Sequence, residues 1–333
     1  MRVLALADLP SEGTHVEGIF IQRQIESLRR LGVQVDVMSI GGKKNSLNYV
    51  RLIGRLLHRK IPRGFDLVHA HYGLTGFFAR FQRKLPLVVT YRGSDVFGIV
   101  GSNFQYTLKG RIIVMLSLRA ARWADGVIAV SRKISERIPA RVPVHIIPSG
   151  VDLDRFRPMS RQETREILGL PGEGRLVLFA ANPREPHKRF DLAQDAVNRL
   201  RGQGLDDVKL IVPYPVPPDR MPLYMNACNV LLLTSLHEGS PNVVKEALAC
   251  NLPVVSTAVG DVPELLAGLE GCFLCGFSAE EIAARLRLAL EAGALSGGRA
   301  KMEQISTSKT AEQVLEVYRE TLQRWEKRRR IAS

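Results

Sequence analysis

Residues 230–246 read VLLLTSLHEGSPNVVKE and join a short apolar run to the start of a helix. The run Val230–Thr234 has the length and composition of a buried β-strand. Ser240 is a favoured N-cap residue and Pro241 suits the first helical position, so the pattern predicts a helix from Pro241 to Cys250. The free backbone N–H groups at such a start can bind the oxygens of an anionic ligand. The stretch therefore predicts a strand, a ligand-binding loop and a helix in succession.

The same alternation of short apolar runs and helices extends over the rest of the chain. It predicts an α/β fold with parallel sheets covered by helices on both faces, because strands buried on both faces read as continuous apolar runs. The other predicted strands are Val3–Ala7, Val33–Ser39, Leu67–His71, Leu87–Tyr91, Val127–Ser131, His145–Pro148, Leu176–Ala180, Val208–Val212 and Pro253–Thr257. The other predicted helices are Ile19–Leu31, which ends at Gly32, Phe190–Leu200 and Thr310–Arg330.

The chain has 333 residues, which is long enough for two domains. The rhythm restarts after Pro148-Ser149-Gly150-Val151, a turn-rich stretch suited to a hinge. We therefore predict domains at residues 1–150 and 151–309, with the C-terminal helix, about 310–333, crossing back to the first domain. Two doubly wound domains in series place a ligand cleft between them, outside the carboxyl ends of their strands.

Composition and charge narrow the functional classes. Hydrophobic residues make up 45% of the chain and charged residues 24%, which excludes a disordered or fibrous protein. No apolar run approaches the ~18 residues that a membrane-spanning helix needs, and the N-terminal apolar run is too short for a signal peptide. The presence of only four cysteines fits a protein of the reducing cytoplasm. Residues 1–150 contain 23 Lys and Arg and nine Asp and Glu, a net charge of +14. The whole chain has the same net charge, so all of the excess lies in its first part. The first domain is therefore expected to face an anionic partner.

Two carboxylates flank the predicted helix start. Glu238 lies in the loop before it and Glu246 about two turns into the helix. Each can accept hydrogen bonds from vicinal hydroxyls at opposite ends of a bound ligand. The alternative is a helix cap followed by a solvent-exposed glutamate, and on these residues alone that alternative would be preferred.

Several blocks of the chain, in order, resemble one enzyme family. Glu238 to Glu246 matches the E-x₇-E signature of retaining glycosyltransferases, and TSLHEGSPNVVKEALACNLPVVSTAVGDVPELL resembles family 4 of those enzymes. The blocks DLVHAHYGLTG, VVTYRGSDV, ADGVIAVS, IIPSGVDLDRFRP and PLYMNACNVLLLTS are similar to successive parts of that family. The resemblance implies the GT-B fold of two Rossmann-like domains, and it is nearest to the group acting on cell-surface polysaccharides, including teichuronic-acid-type transferases.

The resemblance implies roles in the second, donor-binding domain. Glu238 would contact hydroxyls of the transferred sugar, and Glu246 would accept hydrogen bonds from both ribose hydroxyls of the nucleotide. The residues that would offer backbone N–H groups to the sugar are Gly239, Ser240, Pro241 and Asn242. The family's phosphate clamp pairs an Arg with a Lys. Lys188 matches the Lys, whereas the Arg position falls near Asn182, so Arg184 is the substitute that this sequence offers.

The first domain would hold the acceptor. The loop Leu9–Gly18 follows the first strand, where Gly13 and Gly18 are candidates for a close approach to the diphosphate. A His of the family corresponds to Arg92 in the run Tyr91–Asp95, and a guanidinium binds a phosphate or carboxylate rather than acting as a base. The acceptor-side candidates are Arg92, Asp95 and His71, with His69 interpreted as a buried strand residue.

The sequence thus predicts a retaining, metal-independent glycosyltransferase of cell-surface polysaccharide synthesis. It would use a UDP- or GDP-sugar as co-substrate, no cofactor, and a glycan or polyprenyl-linked acceptor. It would be cytoplasmic, with the amphipathic basic segment Asn45–Lys60 able to lie on an anionic inner membrane face or to pack as an ordinary helix on the sheet. The alternatives are a phosphorylase or epimerase with the same fold, a catalytically impaired partner subunit, and a nucleic-acid-binding protein. An aromatic content of 6% disfavours nucleic acid as a partner.

Overall fold

The structure is a computed structural model that describes residues 1–7, 18–40, 48, 52, 54, 64–101 and 103–332. The chain divides into two compact units. Unit 1 consists of residues 1–99, 106–150 and 307–333, and unit 2 consists of residues 100–105 and 151–306. The predicted segment Asn45–Lys60 and the residue Gly13 lie outside the described residues, apart from Asn48, Leu52 and Gly54.

Unit 1 contains a parallel sheet. Among the described residues its strands are β1 (Arg2–Leu6), β2 (Gln34–Met38), β3 (Leu67–Ala70), β4 (Leu87–Tyr91), β5 (Gly126–Ala129) and β6 (Val144–Ile146), in the order β2-β1-β3-β4-β5-β6. The chain therefore passes from β2 on one side of β1 to β3 on the other. The helices of unit 1 are α1 (Ile19–Arg30), α2 (Gly73–Ala79), α3 (Ser94–Phe97), α4 (Leu108–Ala121) and α5 (Arg132–Ser135), with α13 (Thr307–Ala332) at the C-terminus.

Alternate side chains of the unit 1 strands enter two separate cores. Leu4 and Leu6 of β1 pack in one core, together with residues of α2 and with Val96 of α3. Val3 and Ala5 pack in the other, together with α1 and the buried side of α13. This division explains the continuous apolar runs in the sequence, since both faces of the sheet are covered. It also confirms that the C-terminal helix returns to the first domain.

Unit 2 is a second parallel α/β unit. Its strands among the described residues are β7 (Arg175–Leu178), β8 (Val208–Ile211), β9 (Val230–Leu233), β10 (Val254–Thr257) and β11 (Phe273–Cys275), in the order β11-β10-β9-β7-β8. Its helices are α6 (Arg161–Leu168), α7 (Phe190–Gly202), α8 (Met221–Ala227), α9 (Asn242–Ala249), α10 (Val262–Leu266), α11 (Ala279–Ala292) and α12 (Gly298–Met302). The chain crosses from β8 on one side of β7 to β9 on the other. In such sheets ligands bind outside the carboxyl ends of the strands at this reversal of order.

The helix predicted from Pro241 begins one residue later. Asn242 is the first residue of α9, and Pro241 is its N-cap in an extended conformation without a side-chain cap. Ser240 therefore does not cap the helix, because its hydroxyl is held by side chains from elsewhere in unit 2. The predicted strands and helices otherwise appear with boundaries that differ by a few residues.

Candidate functional site

Two loops meet at the reversal of strand order in unit 2. The first follows β7 and includes a 3₁₀ turn at Pro186–Lys188, and the second follows β9 and leads to α9. The Thr234 hydroxyl donates to the carbonyl oxygens of Lys188 and Arg189 at 2.8 and 2.9 Å. The backbone N–H of Leu236 donates to the carbonyl oxygen of His187 at 2.8 Å. These hydrogen bonds fix the two loops relative to each other, and they therefore also fix the relative positions of the side chains that the loops carry.

An ion pair joins the two loops. Lys188 Nζ lies 2.6 Å from Glu238 Oε1, and both side chains are largely buried, with 19% and 16% of their area exposed. The Ser235 hydroxyl donates to the same carboxylate oxygen at 2.9 Å. The structure thus brings together the residue that the sequence assigned to the phosphate clamp and the one that it assigned to the sugar.

The pair favours the charged form of both groups. Burial acts to lower the pKa of Lys188, but the charge and hydrogen bond of Glu238 outweigh it and raise that pKa. Burial acts to raise the pKa of Glu238, but the attraction to Lys188 and the hydrogen bonds from Lys188 and Ser235 lower it. The site therefore holds one ammonium and one carboxylate near neutral pH.

Two histidines lie beside the ion pair. The rings of His187 and His237 stack with their centroids 5.3 Å apart. Burial, and then the charge of Lys188, lower the pKa of His187 to about 4. Burial also lowers the pKa of His237. Both imidazoles are therefore neutral at pH 7 and add no positive charge to the site.

The loop before α9 is anchored by a buried polar chain. Lys245, which is fully buried on α9, donates from Nζ to the Ser240 hydroxyl at 2.8 Å. That hydroxyl donates to Asp261 Oδ2 at 2.6 Å. Gly260 comes so close that a Cβ there would lie 2.6 Å from the Gly239 carbonyl oxygen. Ser240 is thus a structural anchor of the loop, and Gly239 is in direct contact with a neighbouring turn.

The remaining donor-side candidates lie at the start of α9 and after β7. Asn242 is partly buried, and its Oδ1 is enclosed without a hydrogen-bond donor among the described residues. Glu246 is half-buried one turn further along α9. Asn182 Oδ1 accepts from the backbone N–H of Arg184 at 3.0 Å, and the Arg184 side chain is exposed. No ion pair of Arg184 is found in the part of the chain that the structure describes.

In unit 1 the acceptor-side candidates cluster at the carboxyl ends of β3 and β4. The Arg92 guanidinium donates to Ser149 Oγ at 2.9 Å and to Gln24 Oε1 at 3.0 Å, and it lies 3.3 Å from His71 Nδ1. It also stacks over the Phe20 ring at 4.7 Å. Its partners are thus neutral groups, and burial lowers its pKa to about 10. Its Nε is buried without an acceptor among the described residues.

The other two acceptor-side candidates are enclosed. Asp95 is fully buried, and its oxygens accept from the backbone N–H groups of Gly93, Gly73 and Arg92 at 2.8, 3.0 and 3.1 Å. We therefore reinterpret Asp95 as a structural residue, since its carboxylate ties the β3 and β4 loops together. His71 is 3% exposed, and burial, followed by the charges of His69 and Arg92, lowers its pKa well below 6.5.

Two further sequence interpretations concern unit 1. His69 is fully buried and hydrogen-bonds to Tyr318 and Thr90, both at 2.7 Å, as expected for a buried strand residue. Gly18 is the N-cap of α1 with φ of 92°, a left-handed conformation that favours glycine. The backbone conformation therefore explains why a glycine occupies position 18. The close approach of Gly18 to a diphosphate stays a prediction.

Sequence reasoning missed the residues that position the candidates. Thr234 and Ser235 directly follow a buried strand, a position at which polar side chains reach the carboxyl edge of the sheet. Lys245 occupies a buried position of α9 beside Val244 and Leu248. A lysine within an apolar helical stripe is the one signal in the sequence that could have indicated this buried network.

Among the described residues, no cluster of three or more His, Cys, Asp or Glu side chains could hold a metal ion. No helix within those residues combines the length and the apolar character needed to cross a bilayer.

Two parallel-sheet α/β units in series are the architecture of the GT-B fold, and the matches to family models give the class of protein. Residues 18–155 match the family model Glycosyltransferase Family 4, and residues 205–292 match the model Glycosyl transferases group 1. The two matched regions together span more than half of the chain, the first lying mostly in unit 1 and the second in unit 2. The chain belongs to the family 4, group 1 glycosyltransferases, as the sequence blocks predicted.

Curated relatives are similar to the chain over part of its length. It is 31% identical over 221 residues to TuaC of Bacillus subtilis strain 168, whose name assigns it to teichuronic acid biosynthesis. That match covers 60% of this chain and 55% of TuaC, so it spans about half of the relative. The chain is 27% identical over 304 residues to a D-inositol 3-phosphate glycosyltransferase of Nocardiopsis dassonvillei, covering 78% of this chain and 71% of that protein.

Solved structures share the fold at lower identity. Sucrose-phosphate synthase from Thermosynechococcus elongatus superimposes with a TM-score of 0.75 at 19% identity, covering 96% of this chain and 98% of the other. HepE of Anabaena, in complex with UDP and glucose, superimposes with a TM-score of 0.67 at 19% identity, covering 95% and 98%. At these identities the likeness shows the fold alone.

Proposed function

We propose that this chain is a retaining glycosyltransferase that moves a sugar from a nucleotide-sugar onto an acceptor in cell-surface polysaccharide synthesis. The observation that carries the proposal is the Lys188–Glu238 pair at the reversal of strand order in unit 2. It presents a cation and a hydrogen-bond acceptor on loops that are locked together. A phosphate oxygen and a sugar hydroxyl need these two kinds of partner side by side.

The donor is proposed to be a UDP-sugar, with a GDP-sugar as the alternative. HepE, which has the same fold, has been crystallised with UDP and with UDP-glucose. The name of TuaC supports an acceptor in cell-surface polymer synthesis. The 23 Lys and Arg in residues 1–150 support an anionic acceptor in unit 1.

The proposed mechanism places a positive charge beside the phosphate oxygen on which the reaction develops negative charge. Departure of the nucleoside diphosphate builds negative charge on a phosphate oxygen, and Lys188 Nζ would turn from Glu238 to that oxygen. Glu238 would then accept from a sugar hydroxyl, while the enclosed Asn242 Oδ1 accepts from another. Glu246 would hold the ribose. The leaving phosphate would take the proton of the incoming hydroxyl, so the proposal requires no protein nucleophile and no metal.

Arg92 is proposed to bind an anionic group of the acceptor. Its guanidinium is held by three neutral groups, and its buried Nε has no acceptor among the described residues. A phosphate or carboxylate would supply the missing acceptor and neutralise the charge. Arg92→Gln should weaken the use of an anionic acceptor while leaving the UDP affinity of unit 2 unchanged.

The donor site is tested by calorimetry with UDP. Glu246→Gln should weaken UDP binding by roughly tenfold, because it removes one charged hydrogen-bond acceptor of the ribose. Glu238→Gln should bind UDP at least as tightly as wild type, since Lys188 loses its competing carboxylate, yet turnover should fall by roughly a hundredfold or more. Glu291→Gln, an exposed change on α11, is the matched control. An equal loss of UDP affinity in both site variants would contradict the separate roles.

The reaction itself is tested on a panel of nucleotide-sugars. A donor present at 100 times its Kd should stabilise the protein by about 2.7 kcal/mol, which identifies the base and the sugar. Nuclear magnetic resonance of the product then gives the configuration of the new glycosidic bond. An inverted configuration would refute the retaining mechanism, and the absence of stabilisation by every nucleotide-sugar would refute the donor site.

A further inference from the structure

The helix α4 of unit 1 has large apolar side chains on its exposed face. Leu108, Ile112 and Met115 are 74%, 48% and 54% exposed. Their spacing of four and three residues places them in one line along the helix. Arg119 continues this line one turn further and is also exposed. A helix on the surface of a globular protein normally turns charged residues outward.

The fully buried residues of α4 are small, and Ile113, Leu116 and Leu118 pack partly buried against the core of unit 1. Gly110, Ser117, Ala120 and Ala121 pack inward. A Cβ on Gly73 of α2 would lie 2.6 Å from the Ser117 Cβ, so the two helices are already in close contact. Leu108, Ile112 and Met115 lie outside this packing, on the exposed side of the helix. Their outward position is not explained by packing within this unit.

Aromatic side chains extend the apolar surface at the C-terminal end of α4. Trp123 and Phe81 are 41% and 49% exposed. Phe77 bridges them, with ring centroids 5.5 Å from Trp123 and 6.4 Å from Phe81. We use the name α4 face for Leu108, Ile112, Met115, Phe81 and Trp123. Single exposed apolar residues are common, but an aligned group of this kind marks an interaction surface.

The charged residues of α4 and its two ends are all positive. Residues 107–124 contain four cations and no Asp or Glu. The exposed cations are Lys109, Arg111, Arg119 and Arg122. The neighbouring carboxylates, Asp95 and Asp125, are buried and held by backbone N–H groups. Asp125 in addition pairs with Arg80 and Arg328.

We propose that the α4 face docks unit 1 on an anionic lipid bilayer. Apolar and aromatic side chains flanked by Lys and Arg match the boundary between acyl chains and anionic headgroups. The long stems of Lys and Arg let their charges reach the headgroups while the apolar side chains insert. An anionic bilayer supplies negative charge opposite all four exposed cations at once. This docking is independent of the chemistry proposed for unit 2.

Vesicle co-sedimentation tests the proposal. The full-length protein should pellet with vesicles of phosphatidylcholine and phosphatidylglycerol, and not with pure phosphatidylcholine. The combined variant Leu108→Gln, Ile112→Gln and Met115→Gln keeps every charge, and its partition constant should fall by roughly a hundredfold. Each of Lys109→Gln, Arg111→Gln and Arg119→Gln should lower it by about fivefold. The matched control removes two exposed apolar residues of unit 2, Ile167→Gln and Leu288→Gln, and should bind like wild type.

A second readout uses the two tryptophans of the chain. In a Trp325→Phe background, Trp123 is the single tryptophan, and its emission should shift to shorter wavelength on anionic vesicles. A cooperative tryptophan-detected urea transition shows that unit 1 of each variant is folded. Wild type that stays in the supernatant at low salt, or an apolar variant that pellets like wild type, would overturn the proposal. Loss of a dimer rather than of vesicle binding in the apolar variant would assign the face to a second copy and equally overturn it.

Discussion

Replacing Lys188 by methionine removes the ammonium but keeps the unbranched apolar stem. Glu238 then retains the Ser235 hydroxyl, at 2.9 Å, as its remaining hydrogen-bond donor among the described residues, in a largely buried position. Removing one partner of a fully buried ion pair costs about 3–5 kcal/mol, because it leaves an uncompensated charge. With 16–19% of both side chains exposed, solvent screens part of this penalty. We expect Lys188→Met to destabilise unit 2 by about 2–3 kcal/mol.

The double variant Lys188→Met, Glu238→Gln separates the lost pair from the stranded charge. Its stability should return to within about 1 kcal/mol of wild type, because an amide needs no counter-ion and still accepts from Ser235. UDP affinity should not return, since the cation is absent in both variants. Loss of a charged hydrogen bond predicts about a tenfold to hundredfold weaker UDP binding.

The pH dependence of the single variant has a definite sign. In wild type, Lys188 lowers the pKa of Glu238 below its ordinary value of 4.5, so the pair stabilises unit 2 above that pH, and this contribution is lost as pH falls through the lowered pKa. In Lys188→Met, burial is no longer opposed by the ammonium, so protonation removes the stranded charge. The stability difference between the two proteins should therefore narrow as the pH falls towards 4.5.

Hydrogen exchange of peptides from β7 and β9, followed by mass spectrometry, measures unit 2 directly. Both tryptophans, Trp123 and Trp325, lie in unit 1, so the fluorescence-detected urea transition serves as an internal control that should not move. A double variant as unstable as Lys188→Met would refute the stranded-charge reasoning. Unchanged exchange in Lys188→Met would show that the pair contributes nothing to unit 2.

Two further predictions concern stability in each unit. Burial lowers the pKa of His69 from 6.5 to about 3, and burial also lowers the pKa of His71 well below 6.5. The stability of unit 1 should therefore fall as the pH drops below 6.5, with about 2 kcal/mol lost through His69 alone by about pH 5, because the unfolded chain takes up protons that the folded chain excludes. Tryptophan-detected urea melts measure this, and a His69→Asn variant whose stability falls as steeply as that of wild type would assign the loss to His71. Gly260→Ala should destabilise unit 2 by about 2–4 kcal/mol, since φ is +53° and the new Cβ would lie 2.6 Å from the Gly239 carbonyl oxygen, whereas Gly268→Ala, at φ of +75° with open space around it, should cost about 1 kcal/mol; equal costs by hydrogen exchange would show that the contact with Gly239 is unimportant.

The fold was largely predictable from the sequence because its determinants are local. Short continuous apolar runs such as Leu87–Tyr91 indicate strands buried on both faces, and glycines with positive φ, such as Gly32, end helices where the sequence predicted. The family was predictable as well, since its sequence blocks occur in order along the chain. The helix start at Ser240–Pro241 was wrong by one residue, because Lys245 and Asp261 hold the Ser240 hydroxyl.

The candidate site was predictable only as separate residues. The sequence placed Lys188 and Glu238 on two loops 50 residues apart and assigned them to different parts of a ligand. The sequence likewise offered Asp95 as a residue that contacts the acceptor. In the structure its carboxylate accepts a hydrogen bond from the backbone N–H of Gly73, which lies 22 residues away.

The sequence by itself determined the alternation of strands and helices, the two-domain division and the residue types available for chemistry. These follow from periodicity, turn residues and composition, which are properties of neighbouring residues along the chain. Only the tertiary structure decided which charges are paired and which are left for a ligand. Strand order determines this, because β9 lies beside β7 while β8 lies on the outer side, and that order brings Lys188 within 2.6 Å of Glu238.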